Sequence, residues 1–118
     1  MRVELINATN LRRKAGELTS SQNSFDDFIQ KTKAADWETP HDMQRTFSGA
    51  DIIGQNRVIF DLLGNKYRLI CRYNFIKDIP NPWVILYICW VGSHSAYDKL
   101  NDNSHSNREP NTYTVWEF

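Results

Sequence analysis

In the first half of the chain, apolar residues recur at helical spacing, and from residue 56 onward they alternate with polar ones. Phe25 and Phe28 fall on one face of a helix predicted over 22–36. The N-terminal stretch at about 2–6 alternates and predicts a short strand. A second helix is expected from that strand to about residue 18, and Thr39-Pro40 is typical of the start of a third, which should end near Phe47.

After residue 56 the period of two predicts three strands, at 57–62, 66–73 and 83–91, and a short helix at 95–100. Gly64-Asn65 is a tight-turn signal between the first two of these strands. The order of elements predicts an α+β fold, in which a small antiparallel β-sheet carries the N-terminal helices on one face. A single domain should span residues 1–118.

The end of the chain differs in composition from the rest. Residues 101–111 are polar and predict a loop, and Thr112–Phe118 predicts one more strand or an extended arm. We therefore expect a divergent C-terminal tail from about residue 101.

A two-residue turn determines which residues of the first hairpin face each other. It places Asp61 opposite Arg68 and Arg57 opposite Arg72 on one face, while the alternate, apolar residues fall on the other face. Like charges across a ladder are destabilising by about a few tenths of a kcal/mol. The two arginines therefore either splay into water or hold an anion, and Asp61 and Arg68 form either an ordinary ion pair or part of a site.

The second hairpin has a longer loop. If it centres near Pro80, Gly92 lies opposite Arg68 and leaves open space beside the guanidinium, and His94 lies opposite Lys66. His94 is then either an ordinary surface residue at a strand end or a member of a basic cluster.

The same register places Cys71 opposite Cys89. No signal peptide is visible at the N-terminus, and the apolar run 84–91 is too short to span a bilayer. We therefore expect a cytoplasmic protein with no membrane contact, in which both cysteines are reduced and buried.

The formal net charge is zero, which by itself argues against nucleic-acid binding through bulk charge. The charge is unevenly distributed, however, since residues 1–55 carry −1, residues 56–100 carry +3 and residues 101–118 carry −2. The three histidines lack metal-ligand spacing, and no phosphate-binding glycine motif is present, so we expect no metal and no cofactor. Tyr97 and Trp90 could stack on unpaired bases or belong to the core.

Four stretches together resemble the HigB toxins of type II toxin–antitoxin systems, which belong to the RelE-like group. They are Ala35–Pro40, Asn56–Asp61, Gly64–Ile70 and Val91–Lys99. The resemblance covers roughly residues 1–100. The chain departs from the family pattern in a longer loop at 76–82 and in the tail from Asp102.

The resemblance implies an mRNA interferase, an endoribonuclease that cuts messages at the ribosome and is held inactive by a HigA-like helix-turn-helix antitoxin. Its partners would be that antitoxin, mRNA and the ribosome. The functional candidates carried over by position are Arg57, Lys66, Arg68, His94, Tyr97 and Lys99.

Metal-free RNA cleavage needs a base for the ribose 2′-OH, an acid for the leaving oxygen and positive charge on the phosphate. Arg68 and Arg72 suit the charge role because guanidinium binds phosphate in a fork. His94 is our candidate for the acid. Lys66 is the candidate base, and Asp61 is the alternative.

Two other functions are compatible with the same sequence. One is a non-catalytic toxin similar to ParE, which would bind and poison a protein target without cleaving RNA. The other is a plain RNA-binding or structural domain without an antitoxin.

Overall fold

A computed structural model describes residues 1–19 and 22–102 and confirms the α+β class. The predicted strand at 112–118 and the divergent tail lie outside these residues. No helix within the described ranges is long and apolar enough to cross a membrane. The elements in chain order are β1 (Arg2–Ile6), α1 (Ala8–Leu18), α2 (Asn23–Lys33), α3 (Asp42–Thr46), β2 (Asp51–Ile53), β3 (Arg57–Leu62), β4 (Tyr67–Ile76), β5 (Trp83–Ser93) and α4 (His94–Asp102).

The five strands form one mixed sheet in the order β1-β5-β4-β3-β2. The expectation of an entirely antiparallel sheet was wrong for β1, which pairs with β5 in parallel. Helices and three other strands separate β1 from β5 along the chain, so no hairpin forces these two strands to run in opposite directions. Strand β2 was not predicted, because three residues are too few to display a period of two.

Helices α1 and α2 cover one face of the sheet, as their apolar spacing predicted. Phe25, Phe28 and Ile29 of α2 are fully buried against that face. The ring of Phe28 lies 5.1 Å from that of Phe60 on β3, which is a favourable separation for tilted aromatic rings. This contact joins the helical layer to the strand that also carries Asp61.

The register of the first hairpin is the predicted one, with Arg57 opposite Arg72 and Asp61 opposite Arg68. In the second hairpin Gly92 lies opposite Arg68, also as predicted.

Beyond Ile70, however, an irregularity shifts the pairing of β4 with β5 by one residue, so that Cys71 faces Ile88 rather than Cys89. A bulge puts an extra residue into one strand and re-aims its side chains. Cys71 consequently belongs to the core under the helices, while Cys89 belongs to a cluster on the other face.

The second face was expected to be charged, but its middle is apolar. Five buried residues form this smaller cluster, against which α4 packs: Ile59, Ile70, Cys89, Trp90 and Tyr97. The paired Ile59 and Ile70 lie between the two predicted charge pairs along β3 and β4. The apolar cluster therefore separates the Arg57–Arg72 pair from the Asp61–Arg68 pair.

Candidate functional site

Three polar side chains from three different elements meet at one end of the sheet. Asp61 lies on β3, Arg68 lies opposite it on β4, and His94 is the first residue of α4, directly after β5. The Arg68 Nε atom lies 3.3 Å from Asp61 Oδ1 and 3.2 Å from His94 Nε2. We call Asp61, Arg68 and His94 the central cluster.

The direction of the Arg68 Nε–H determines how the cluster is bonded. It donates to His94 Nε2, and a nitrogen that accepts a hydrogen bond carries no proton of its own. Asp61 Oδ1 is buried and has no hydrogen-bond partner within the described residues, although it lies 3.6 Å from the same imidazole nitrogen. Nε2 of His94 thus lies between the Arg68 donor and the Asp61 carboxylate, and the proton of a neutral imidazole in this arrangement is on Nδ1.

The aromatic ring of Tyr97 packs against the guanidinium of Arg68. The Cζ atom of Arg68 lies 4.6 Å from the centroid of the Tyr97 ring, which is a cation–π contact. Tyr97 is only 5% exposed, and its ring packs on Trp90 at a centroid distance of 6.2 Å. Of the two roles left open for Tyr97 and Trp90, the core position is the one observed, and neither ring offers an open face for a base.

Gly92 is surrounded differently from what the register suggested. The expected open space beside Arg68 is filled, because a Cβ atom built on Gly92 would lie 2.6 Å from the indole of Trp90. Residues 90 and 92 share one face of β5, so the large indole leaves room only for a hydrogen at position 92. The missing side chain therefore allows Trp90 to pack beneath Tyr97.

Lys66, in the turn before β4, and Lys99, on α4, are both exposed. The backbone N–H of His94 donates to the carbonyl of Lys66 over 3.4 Å, which agrees with the predicted proximity of these two residues. Lys99 is exposed on α4.

The alternative in which Arg57 splays into water was wrong, because Arg57 is only 2% exposed. Its Nη1 donates to Cys89 Sγ over 2.9 Å. The shift of register after Ile70 placed Cys89 on this face, and the sequence carried no signal for it. Arg72, its cross-strand neighbour, is exposed.

A pocket of about 300 Å³ adjoins Asp61 and was not predicted. It lies between α2, the segment 46–50 and the turn that connects β3 to β4. Because its walls come from three segments distant in sequence, no local pattern could have revealed it. Among the described residues, no three His, Cys, Asp or Glu side chains lie close enough together to hold a metal ion.

A comparison with curated proteins gives no match. A family model, described as HigB_toxin, RelE-like toxic component of a toxin-antitoxin system, matches residues 21–100, which are 80 of the 118 residues of the chain. This range includes the central cluster, Lys66, Tyr97 and Lys99. The chain therefore belongs to the HigB_toxin family, the RelE-like toxic components of toxin–antitoxin systems.

Proposed function

We propose that this toxin is an endoribonuclease that cleaves mRNA with the central cluster and without a metal ion. The observation that carries the proposal is the contact of Arg68 with both His94 and Asp61. This contact brings a guanidinium, an imidazole and a carboxylate within 3.6 Å of one another. Acid–base catalysis of phosphate cleavage needs these three kinds of group.

The proposed reaction uses the ribose 2′-OH as its nucleophile. The 2′ oxygen forms a bond to phosphorus, the bond from phosphorus to the 5′ oxygen breaks, and a 2′,3′-cyclic phosphate remains. One proton leaves the 2′-OH, and one proton is added to the departing 5′ oxygen. DNA lacks this hydroxyl group, so the reaction requires RNA.

Arg68 stabilises the charge that develops on the phosphate. Its Nε is engaged with His94, and within residues 1–19 and 22–102 its two Nη groups have no hydrogen-bond partner. Guanidinium Nη groups bind two phosphate oxygens at once. Tyr97 positions the guanidinium through the ring contact, and it does not itself touch the substrate.

His94 donates the proton to the 5′ oxygen from Nδ1, because its Nε2 accepts the hydrogen bond from Arg68. Two side chains can take the proton from the 2′-OH. Lys66 is the first candidate by position, and Asp61 is the alternative, since its carboxylate lies 3.3 Å from Arg68 and 3.6 Å from His94. If Asp61 is the base, the exposed Lys66 keeps its proton and adds positive charge towards the phosphate.

The RNA backbone outside the scissile phosphate would contact Arg72 and Lys99, which are both exposed. Arg57 supports the sheet from its buried position beside Cys89. Membership of the family implies an antitoxin partner. We further propose that this antitoxin is a HigA-like helix-turn-helix protein, that the substrate is mRNA on the ribosome, and that the toxin acts in the cytoplasm.

Induction of the protein in cells tests this function. We expect growth arrest together with new 5′ ends inside coding regions, as mapped by primer extension, and we expect co-expression of the antitoxin to suppress both. His94→Ala is the matched control, since it removes the proposed acid from a half-exposed position. Growth arrest with intact transcripts would contradict the proposal and favour a toxin that poisons a protein target.

A further inference from the structure

We propose that the pocket beside Asp61 is a base subsite, which receives an unpaired nucleobase next to the scissile phosphate. This inference rests on the proposed RNA substrate and adds the part of the protein that would choose between bases. It is argued from the position, shape and polar groups of the pocket.

The pocket and the central cluster share the Asp61 carboxylate. Its Oδ1 faces Arg68 and His94, while its Oδ2 lies 3.8 Å from the position of a Cβ atom built on Gly49, across the pocket. A ligand in the pocket and a phosphate at the central cluster would therefore lie next to different oxygens of the same carboxylate. This separation suits a base and the phosphate of its own nucleotide.

An unpaired edge of the sheet creates the space. Strand β2 pairs with β3 only along 57–59, so the following residues of β3 have no neighbouring strand on that side among the described residues. Helix α2 and the segment 46–50 lie next to this edge and line a pocket of about 300 Å³. That volume is at the lower end of the range for small-molecule sites.

Two aromatic rings line the pocket, and one of them is accessible. Phe28 and Phe47 both line it, and their ring centroids are 4.9 Å apart. Phe28 is fully buried, whereas Phe47 keeps part of its surface accessible. Proteins recognise single-stranded RNA mainly by stacking unpaired bases on such rings and by hydrogen bonding to their edges.

The acceptors that cannot also donate set the preference of the pocket, since the hydroxyls of Ser24, Thr46 and Ser48 can both donate and accept. The carboxylates of Asp61 and Asp27 line it, and ionised carboxylates only accept. Guanine offers two neighbouring donors on its pairing edge, and adenine and cytosine each offer an amino group, whereas uracil has no amino group. Lys31, which pairs with Asp27 over 3.0 Å, can bind a neighbouring phosphate at the rim. The pocket should therefore favour a base that carries an amino group.

The variant Gly49→Leu tests the subsite by filling it. Gly49 is exposed and does not have the left-handed backbone conformation that favours glycine, so a leucine fits without backbone strain. Gln30→Leu is the matched control, because it places the same side chain on an exposed position of α2 outside the pocket. Thermal unfolding of both variants checks that they remain folded.

The assay measures binding of four RNA pentamers that differ only in the central base. They carry 2′-O-methyl riboses, which prevents cleavage. We expect the wild type to bind a pentamer with a central amino-bearing base more tightly than the uracil pentamer. Gly49→Leu should weaken the preferred complex by about tenfold and abolish the preference, whereas Gln30→Leu should change neither. Unchanged binding by folded Gly49→Leu, or equal binding of all four pentamers by the wild type, overturns the inference.

The same variants separate this inference from the nuclease proposal. Base-selective binding that Gly49→Leu abolishes, in a protein that cleaves no RNA, would retain the subsite and reject the nuclease. Cleavage by Gly49→Leu at the rate and with the base preference of the wild type would retain the nuclease and reject the subsite.

Discussion

The Nε–H of Arg68 donates a hydrogen bond to Nε2 of His94 over 3.2 Å, although the two residues lie 26 positions apart in the chain. Arg68 is on β4, and His94 begins the helix that follows β5, so the pairing of these two strands brings them together. The bond holds the imidazole with an unprotonated nitrogen towards the guanidinium. Anything that moves Arg68 should therefore also change the orientation of the proposed acid.

Substitutions at Tyr97 test whether its ring positions Arg68. Tyr97→Phe keeps the ring and should keep RNA cleavage, because the cation–π contact depends on the aromatic face. Tyr97→Leu is the matched variant, since it fills much of the space without a ring and should lower kcat while leaving KM nearly unchanged. Equal kcat for the two folded variants would show that the contact has no positioning role.

Gly92→Ala should destabilise the protein by about 1–3 kcal/mol, because the new methyl group would lie 2.6 Å from the Trp90 indole. The relevant measurement is the free energy of unfolding from urea denaturation. Trp90→Leu removes the clashing ring. In a Trp90→Leu background, Gly92→Ala should therefore lower the free energy of unfolding much less than it does in the wild type. An equal cost in both backgrounds would contradict the packing described for this face.

The Asp42 carboxylate accepts hydrogen bonds from the backbone N–H groups of Glu38 and Thr39, at 2.7 and 3.0 Å. These bonds hold the pKa of Asp42 below its ordinary value. A lowered folded-state pKa contributes stability that is fully present above the unfolded pKa of about 3.9 and is lost as pH falls through the folded pKa.

Asp42→Asn should therefore lower the urea midpoint at pH 7, and the difference from the wild type should shrink as the pH falls below about 4. Denaturation of both proteins at pH 7 and at pH 3 measures this. A difference that stays constant between the two pH values would show that the ionised carboxylate is not the stabilising group.

Both cysteines should remain reduced and should react slowly in the folded protein. Burial raises the pKa of the Cys71 thiol well above its ordinary value and also raises the pKa of Cys89, so little of either is the reactive thiolate. They belong to apolar clusters on opposite faces of the sheet.

Mass spectrometry after alkylation should find two modified cysteines under denaturing, non-reducing conditions and almost none in the native state. No modification of the denatured protein would reveal a disulfide and contradict the placement of these residues.

The sequence predicted the central cluster because its geometry depends on the first hairpin and the start of the second. The two-residue turn at Gly64-Asn65 places Asp61 opposite Arg68, and the register around Pro80 holds as far as Ile70. Both pairings follow from loop length and alternation, which can be read locally.

The remaining differences arise from interactions that no local pattern records. The shift after Ile70 has no sequence signature, yet it moves Cys89 to the face where it contacts the buried Arg57. The parallel pairing of β1 and the pocket beside Asp61 both depend on how distant segments pack. Only the folded chain shows them.

The most direct test of the nuclease proposal is the cleavage of ribosome-bound mRNA by the purified protein, with the chemistry of the new ends determined. We predict fragments that end in a 2′,3′-cyclic phosphate and a 5′-hydroxyl. Arg68→Lys keeps the positive charge but loses the fork of donors and the bond to His94, and it should reduce kcat by about a hundredfold. Intact mRNA with the wild type, or full activity of folded Arg68→Lys, would contradict the account.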